Sequence, residues 1–373
     1  MELFYTHISE ESKRLVQETL DSGRLSEGER VKEFEKGLNK FGLWNPVTVN
    51  SGTSALHLAL VLSGVERGDE VILPPQTFVA TGMAILYCGA TPIFADIDPF
   101  TGNLCPESVQ KKLTPKTKAV IPVHWTGLPC YMEDINYAIE RESELFNERP
   151  SIIEDAAHAL GAVYQQDLIG KTHWSRFCCF SFQSTKLLTT GDGGCICSSI
   201  DITWDKEDAI HRRWFGIPRG AEIGPLGERD FSLQEVGYKY HLNDLAASLG
   251  IGNLHTLPQR LTRRQQIAKQ YREELDTVKD IEFIEVPGSW SHAYYAFAMK
   301  VNWRDDFVQK MKEKGIPCSI ICSRIDKNPV FGGIREDLVG QREFSKKSIC
   351  LPCHENLSDE DVQQVIDAVR GGW

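Results

Sequence analysis

Between residues 46 and 200 of this 373-residue chain, short β-branched runs alternate with segments whose apolar positions recur at helical spacing. The run VTV at 47–49 leads into SGTSALHLALVLSG, whose apolar positions from Ala55 to Leu62 predict a helix opening after a Gly-Thr-Ser turn. GDEVILP (68–74) reads as a strand, and TFVATGMAILYCG (77–89) as a helix closed by Gly89. Strands follow at TPIFADID (91–98) and KAVIPVHW (118–125), and a helix around MEDINYAIERESELF (132–146) links the second of these to the strand SIIEDAA (151–157). Strands alternating with helices of this length build βαβ units and a mostly parallel sheet. Polar residues that follow each strand then gather at its C-terminal edge, where open α/β sheets bind ligands.

After FCCFSF (177–182) and GGCICS (193–198) the pattern changes. Residues 203–235 are richer in charge and glycine and read as a long surface excursion. The stretch from 242 to 275 has the spacing of one extended helix. Beyond residue 277, IEFIEV and HAYYAFAMKV read as strands and DDFVQKMKEKG as a helix, together a compact α+β unit. The closing SDEDVQQVIDAVR opens with a Ser-x-x-Asp cap and continues with helical apolar spacing. The expected division is a large domain over residues 1–250 and a small one over 251–373.

Charge narrows the function classes. With 41 basic against 52 acidic residues the net charge is −11, spread along the chain. No basic face of the kind that general nucleic-acid or anionic-membrane binding needs is visible. The N-terminus shows no signal-peptide pattern and the longest apolar runs are too short for a membrane span. A cytoplasmic location is therefore expected. The eleven cysteines read as reduced thiols. Cys178, Cys179, Cys195 and Cys197 sit in apolar strand text as small hydrophobes. Cys318, Cys322, Cys350 and Cys353 have spacings that zinc tolerates, but they too lie in apolar text, and no metal is expected.

Four polar clusters border strands. Ser51-Gly52-Thr53-Ser54 stands at a helix start, where N–H groups and the helix dipole favour an anion; an ordinary cap is the alternative. Asp155, just beyond the apolar run Ile152-Ile153, can reach a cleft and pair with a cation, or simply cap a helix. Lys186 lies on a Gly- and Thr-rich turn between two apolar strands. A lysine held there is partly desolvated, loses its proton more readily and can attack a carbonyl; a solvated surface charge is the alternative. Lys239 and His241, in GYKYHLND, face one ligand if that stretch is extended. His211, Arg212, Arg213 and Arg219 form the most basic local stretch and are candidates to hold a diphosphate.

NSGTSALHLAL, GDEVILPPQTFVAT, GATPIFADID, IIEDAAHALGA, SFQSTKLLTTGDGG and GYKYHLNDLAASLG, in this order, resemble the DegT/DnrJ/EryC1/StrS aminotransferases. The resemblance runs from about residue 8 to ICLPCHENLSDEDV near the C-terminus. It implies an α/β, fold-type I pyridoxal-phosphate (PLP) transferase, with a mostly parallel central sheet flanked by helices and a smaller C-terminal α+β domain. Lys186 then occupies the Schiff-base position, Asp155 pairs with the pyridine nitrogen, His158 lies beside both, and Phe78 stacks on the ring. Thr53, Ser54 and Ser181 match phosphate contacts. The family places its active site at a homodimer interface, and Lys239 and His241 stand where many members carry the asparagine that a partner subunit contributes. Gln183-Ser184 replaces a common His-Pro, Asp192 replaces a common Glu, and the segment GIPCSIICSRIDKNPVFGG lacks a frequent His-Tyr pattern.

The reaction so implied moves an amino group from an amino acid, L-glutamate by family habit, to a nucleotide-linked keto-sugar. Amination of a cyclitol ketone, PLP-dependent sugar dehydration and a non-catalytic regulator on the same fold are the alternatives. Lys186 argues against dehydration, because the relatives that dehydrate replace it by histidine.

Overall fold

The computed structural model describes residues 1–171, 173–198, 206–217, 227 and 233–373. Most of the stretch read as a surface excursion, Arg219 included, lies outside the described residues. In chain order the strands are β1 (Val47–Val49), β2 (Glu70–Leu73), β3 (Thr91–Phe94), β4 (Thr117–Val120), β5 (Ser151–Asp155), β6 (Val163–Tyr164), β7 (Asp167–Leu168), β8 (Phe177–Ser181), β9 (Gly194–Ser198), β10 (Ile281–Phe283), β11 (Phe297–Val301) and β12 (Ser348–Leu351). Seven of them form the central sheet in the order β1-β9-β8-β5-β4-β2-β3. β3, β2, β4, β5 and β8 run parallel, and β9 is antiparallel to both of its neighbours.

The apolar runs that predicted these strands are continuous rather than alternating because both faces of the sheet are covered. Ile72, Val120, Ile152, Cys178 and Cys197 point into one core, while Val71, Ala119, Ile153, Cys179 and Ile196 point into the other. The strand cysteines are thus packing residues on opposite faces.

β10, β11 and β12 make a separate antiparallel sheet with its own core, which includes Phe307, Val362 and Val365 from the helices Arg304–Glu313 and Asp359–Arg370. The helix Asp244–Leu275 joins the two parts. It starts where Asn243 Oδ1 accepts the Ala246 N–H at 2.9 Å and runs through Pro258. Ala247, Ile251, Leu254, Leu257 and Leu261 pack in the large core, and Ile267, Ala268, Tyr271 and Leu275 in the small one. The boundary expected between 250 and 251 falls inside this helix; its packing changes core between Leu261 and Ile267.

Two further elements are shorter than their sequence patterns. The helix at 132 ends at Arg141 and a 3-10 turn follows at Ser143–Leu145. In HAYYAFAMKV only Phe297–Val301 is strand, because Tyr294 adopts φ 49°, in the left-handed region.

Candidate active site

A cavity of about 500 Å³ opens at the sheet edge formed by the C-terminal ends of β1, β2, β4, β5 and β8. Ser51, Phe78, Val123, Asp155 and Ser181 reach it from these strand ends, and Gly193 reaches it from the start of the antiparallel β9. The loop carrying Lys186 closes one side, and the segment Ser319–Cys322 another.

One end is built for an anion. The helix Gly52–Leu62 begins at the cavity, and Gly52 and Thr53 line it. First-turn N–H groups have no intrahelical acceptors, and the helix dipole adds positive potential. Ser51 Oγ takes the Ser54 N–H at 3.0 Å. This end approaches β8 and β9 so closely that side chains are excluded. A Cβ on Gly52 would meet Ser181 Cβ at 2.8 Å, and one on Gly194 would meet Ser51 O at 2.5 Å. Ser181 lines the same end. Ser54 does not line the cavity: its hydroxyl donates to Asn50 Oδ1 at 2.6 Å and lies 2.8 Å from Ser51 Oγ.

The other end carries a buried carboxylate. Asp155 is 6% exposed; its Oδ2 accepts from Thr81 Oγ1 at 2.7 Å and its Oδ1 from the Ala157 N–H at 3.2 Å. Thr81 is itself set by Thr77, with their hydroxyls 2.7 Å apart. Burial raises the Asp155 pKa above the ordinary aspartate value, while those hydrogen bonds and the charges of Lys186 and His124 oppose the rise. A carboxylate offers about four acceptor sites, so two hydrogen bonds leave room for a cationic N–H reaching in from the cavity.

Between these ends lies Lys186. Burial pushes its ammonium below the usual lysine range, with Cys322 and Asp155 opposing. His158, also buried, is pushed well below 6.5 by burial and by the lysine charge, and is a neutral imidazole at neutral pH. Phe78, at the cavity wall, is 64% exposed. A phenyl ring in that position is a ready stacking surface for a planar ligand.

Lys239 and His241 lie away from this chain's cavity. His241 forms a β-bridge with Val49, and Asn50 N donates to Tyr240 O at 2.7 Å, so their segment is extended along the sheet edge as the sequence suggested. Lys239 Nζ rests 3.7 Å from the centroid of the Trp214 ring. Of the basic stretch, Arg212 and Arg213 are engaged within the chain, and Arg219 lies outside the described residues. Arg212 is paired with Asp208 and Glu235, and Arg213 is buried against Glu27, Glu35 and Thr48 O. Neither these two nor His211 lines the cavity, and the charges of the two arginines hold the fold together instead.

The sequence pattern did not single out Tyr295, Phe4 and Thr81, and it weighed Cys322 only as a zinc ligand; all four belong to the site or its support. Tyr295, Phe4 and Cys322 line the cavity from outside the parallel sheet. The only signal for Tyr295 was an aromatic pair inside an apparent strand. Among the described residues no group of three or more His, Cys, Asp or Glu could hold a metal ion, and no helix is long and apolar enough to cross a membrane.

A mostly parallel sheet with a half-buried lysine, a buried carboxylate and a helix N-terminus converging at one edge defines the fold-type I class of PLP enzymes. The model of the DegT/DnrJ/EryC1/StrS aminotransferase family matches residues 6–370. The chain is 34% identical to the spore coat polysaccharide biosynthesis protein SpsC of Bacillus subtilis (strain 168), over 97% of this chain and 94% of that protein. It is 31% identical to the GDP-perosamine synthase of Caulobacter vibrioides, over 95% of this chain and 93% of that protein. Among solved structures, AtS13 from Actinomadura melliaura matches with a TM-score of 0.93 at 34% identity, covering 100% of this chain and 99% of that one. The chain belongs to the DegT/DnrJ/EryC1/StrS family and is a PLP-dependent aminotransferase.

The residues present fit that cofactor. The helix start at Gly52 suits its phosphate, and the spare acceptor capacity of Asp155 suits a protonated ring nitrogen. A half-buried lysine with a lowered pKa suits its aldehyde.

Proposed function

We propose that this enzyme transfers the amino group of L-glutamate to a keto-sugar carried on a nucleotide, acting as a cytoplasmic homodimer. The observation that carries the chemistry is the placement of Lys186, Asp155 and the Gly52 helix start around one cavity on three strand ends. The sugar acceptor is supported by the likeness to a GDP-perosamine synthase.

Bound PLP supplies a ring that accepts the electrons left behind when a C–H proton is removed. The protein's part follows from the geometry. Lys186 would carry the cofactor at rest; once free, its Nζ would hold the proton removed from the donor carbon and pass it to the cofactor carbon that bore the aldehyde. Asp155 would keep the ring nitrogen protonated through a charge-assisted hydrogen bond. Gly52, Thr53 and Ser181, with Ser54 behind them, would hold the phosphate end, and Phe78 would offer a stacking surface to the ring. His158 stays uncharged, so it adds no second cation to compete with the ring nitrogen for Asp155.

The wall composition supports a dimer. Among the described residues lining the cavity, Lys186 is the sole lysine or arginine. A dicarboxylate donor and a nucleotide diphosphate each need cations, which favours a second subunit contributing to the site. Lys239 and His241 are the groups proposed to cross that interface.

The acceptor is tested with the PLP-loaded enzyme and L-glutamate, by mass spectrometry of products from three ketones: a nucleotide-linked keto-sugar, the same keto-sugar without its nucleotide, and a cyclitol ketone. Preferred amination of the first is expected. Equal or better use of the cyclitol contradicts the sugar-nucleotide reading, and a deoxy-sugar without new nitrogen contradicts amino transfer.

A further inference from the structure

Tyr295 sits where the small sheet meets the cavity, two residues before β11. Its backbone is tied to the large core: its N–H donates to Thr126 O at 2.9 Å, and Arg264 Nη1 donates to its carbonyl at 3.3 Å.

The side chain is held in two further ways. Its ring stacks on His158, with centroids 4.2 Å apart and planes 8° apart, and on Phe4 at 5.1 Å. Its hydroxyl lies 3.1 Å from Thr185 Oγ1. The direction of that bond follows from its neighbours. The Thr185 N–H, 2.9 Å from the Gln183 side chain, can only donate, so the Gln183 atom facing it is the amide oxygen. That same oxygen takes the Thr185 hydroxyl proton at 2.8 Å. Thr185 has no second hydroxyl proton, so Tyr295 donates to Thr185. A relay from Tyr295 to Gln183 through Thr185, the residue before Lys186, therefore fixes the ring.

Lys186 Nζ stands 4.7 Å from the centroid of this ring. An aromatic face attracts an ammonium through its quadrupole, more strongly where water is excluded. The other titratable groups facing Lys186 are Asp155 at the end of β5, the neutral His158 after it, and Cys322 from the opposite wall.

We propose that Tyr295 is a positioning residue for amino transfer: its locked ring is the dock on which the free ammonium of Lys186 rests whenever the lysine is not bonded to the cofactor. The dock keeps that nitrogen inside the cavity between proton transfers. The assignment rests on the reading of Lys186 as the cofactor-bearing lysine.

The test uses the full-length enzyme loaded with pyridoxamine phosphate, in which the lysine is free. Competitive acylation across pH, read by mass spectrometry of the Lys186 peptide, gives the midpoint of the amine. Tyr295→Phe keeps the ring and should hold the midpoint close to wild type. Tyr295→Leu keeps apolar bulk without the quadrupole, and its midpoint should fall by about one pH unit. Pentafluorophenylalanine at position 295 reverses the quadrupole in a ring of similar shape, so it gives the same readout if the leucine variant fails to fold. The leucine variant should also lose about tenfold in kcat with a smaller change in the KM of the donor. Midpoints equal to that of Tyr295→Phe in both substituted proteins overturn the proposal alone. If pyridoxamine phosphate does not bind and no donor reacts, the reading of the site falls, and the proposal with it.

Discussion

Burial acts on Lys186 and His158 in the same direction, toward the neutral form, and on Asp155 toward its acid form. A charged group is costly in such a place unless a partner of opposite sign is present. The three are therefore poised for a cofactor that brings a cationic ring nitrogen to Asp155 and an aldehyde to Lys186. Asp155→Asn removes the charge and keeps the shape. The donor half-reaction followed by stopped-flow absorbance is expected to slow by about a hundredfold or more, as for loss of one member of a buried pair, while the fold persists by circular dichroism. That Lys186 and Asp155 border the cavity was legible because each stands at or beyond the end of an apolar strand, whereas the roles given to them and to Ser181 came from the family motifs. Ser54 was harder: a hydroxyl at a helix start reads alike as a cap or a ligand, and here it is engaged with Asn50 and Ser51. Arg212 and Arg213 looked like an anion site because their acidic partners Glu27, Glu35 and Glu235 are distant in sequence.

At the scale of elements, two close approaches set the site's shape. The first is the meeting of the helix start at Gly52 with β8 and β9. Gly194→Ala places a methyl 2.5 Å from Ser51 O. Overpacking of this kind costs about 1–3 kcal/mol, to be read by urea denaturation, and PLP should bind more weakly because the phosphate end is displaced. The second is the turn that ends one apparent strand and brings Tyr295 to the cavity. There His292 Nδ1 accepts the Tyr294 N–H at 2.7 Å and the two rings stack at 4.0 Å. Burial, with Arg272 adding, pushes His292 down to about 3. The unfolded chain, with its histidine near 6.5, binds a proton that the folded one refuses. This contribution to stability is full above pH 6.5 and is lost as pH falls toward the folded value, at a slope approaching ~1.4 kcal/mol per pH unit. His292→Asn retains an acceptor for Tyr294, so its stability, measured by denaturant titration at pH 7.5 and pH 5, should depend less on pH than that of the wild type. Left-handed geometry at a tyrosine leaves no mark in a period-two apolar pattern, and for that reason Tyr295 was hidden within a strand.

On the scale of the whole molecule, the alternation of strands and helices was enough to give a parallel sheet with its ligand edge, and the family motifs supplied the site. The domain boundary was less legible because one uninterrupted helix serves two cores, and its apolar spacing does not change where Leu261 hands over to Ile267. The proposed interface rests on family likeness, since a single chain cannot display which residues face a second copy. If Lys239 acts across a dimer, mixing Lys186→Ala with Lys239→Ala subunits should restore roughly a quarter of wild-type activity by random pairing into two-fold dimers; mixtures no more active than the separate variants would contradict the shared site. The most direct test of the account as a whole is the visible absorbance of the protein with PLP, before and after L-glutamate, for wild type and Lys186→Ala. The account predicts a lysine-linked cofactor band in the wild type that glutamate converts to the pyridoxamine spectrum, with no such band in the variant. A wild-type protein that forms no band, or a variant that forms the same one, would contradict it.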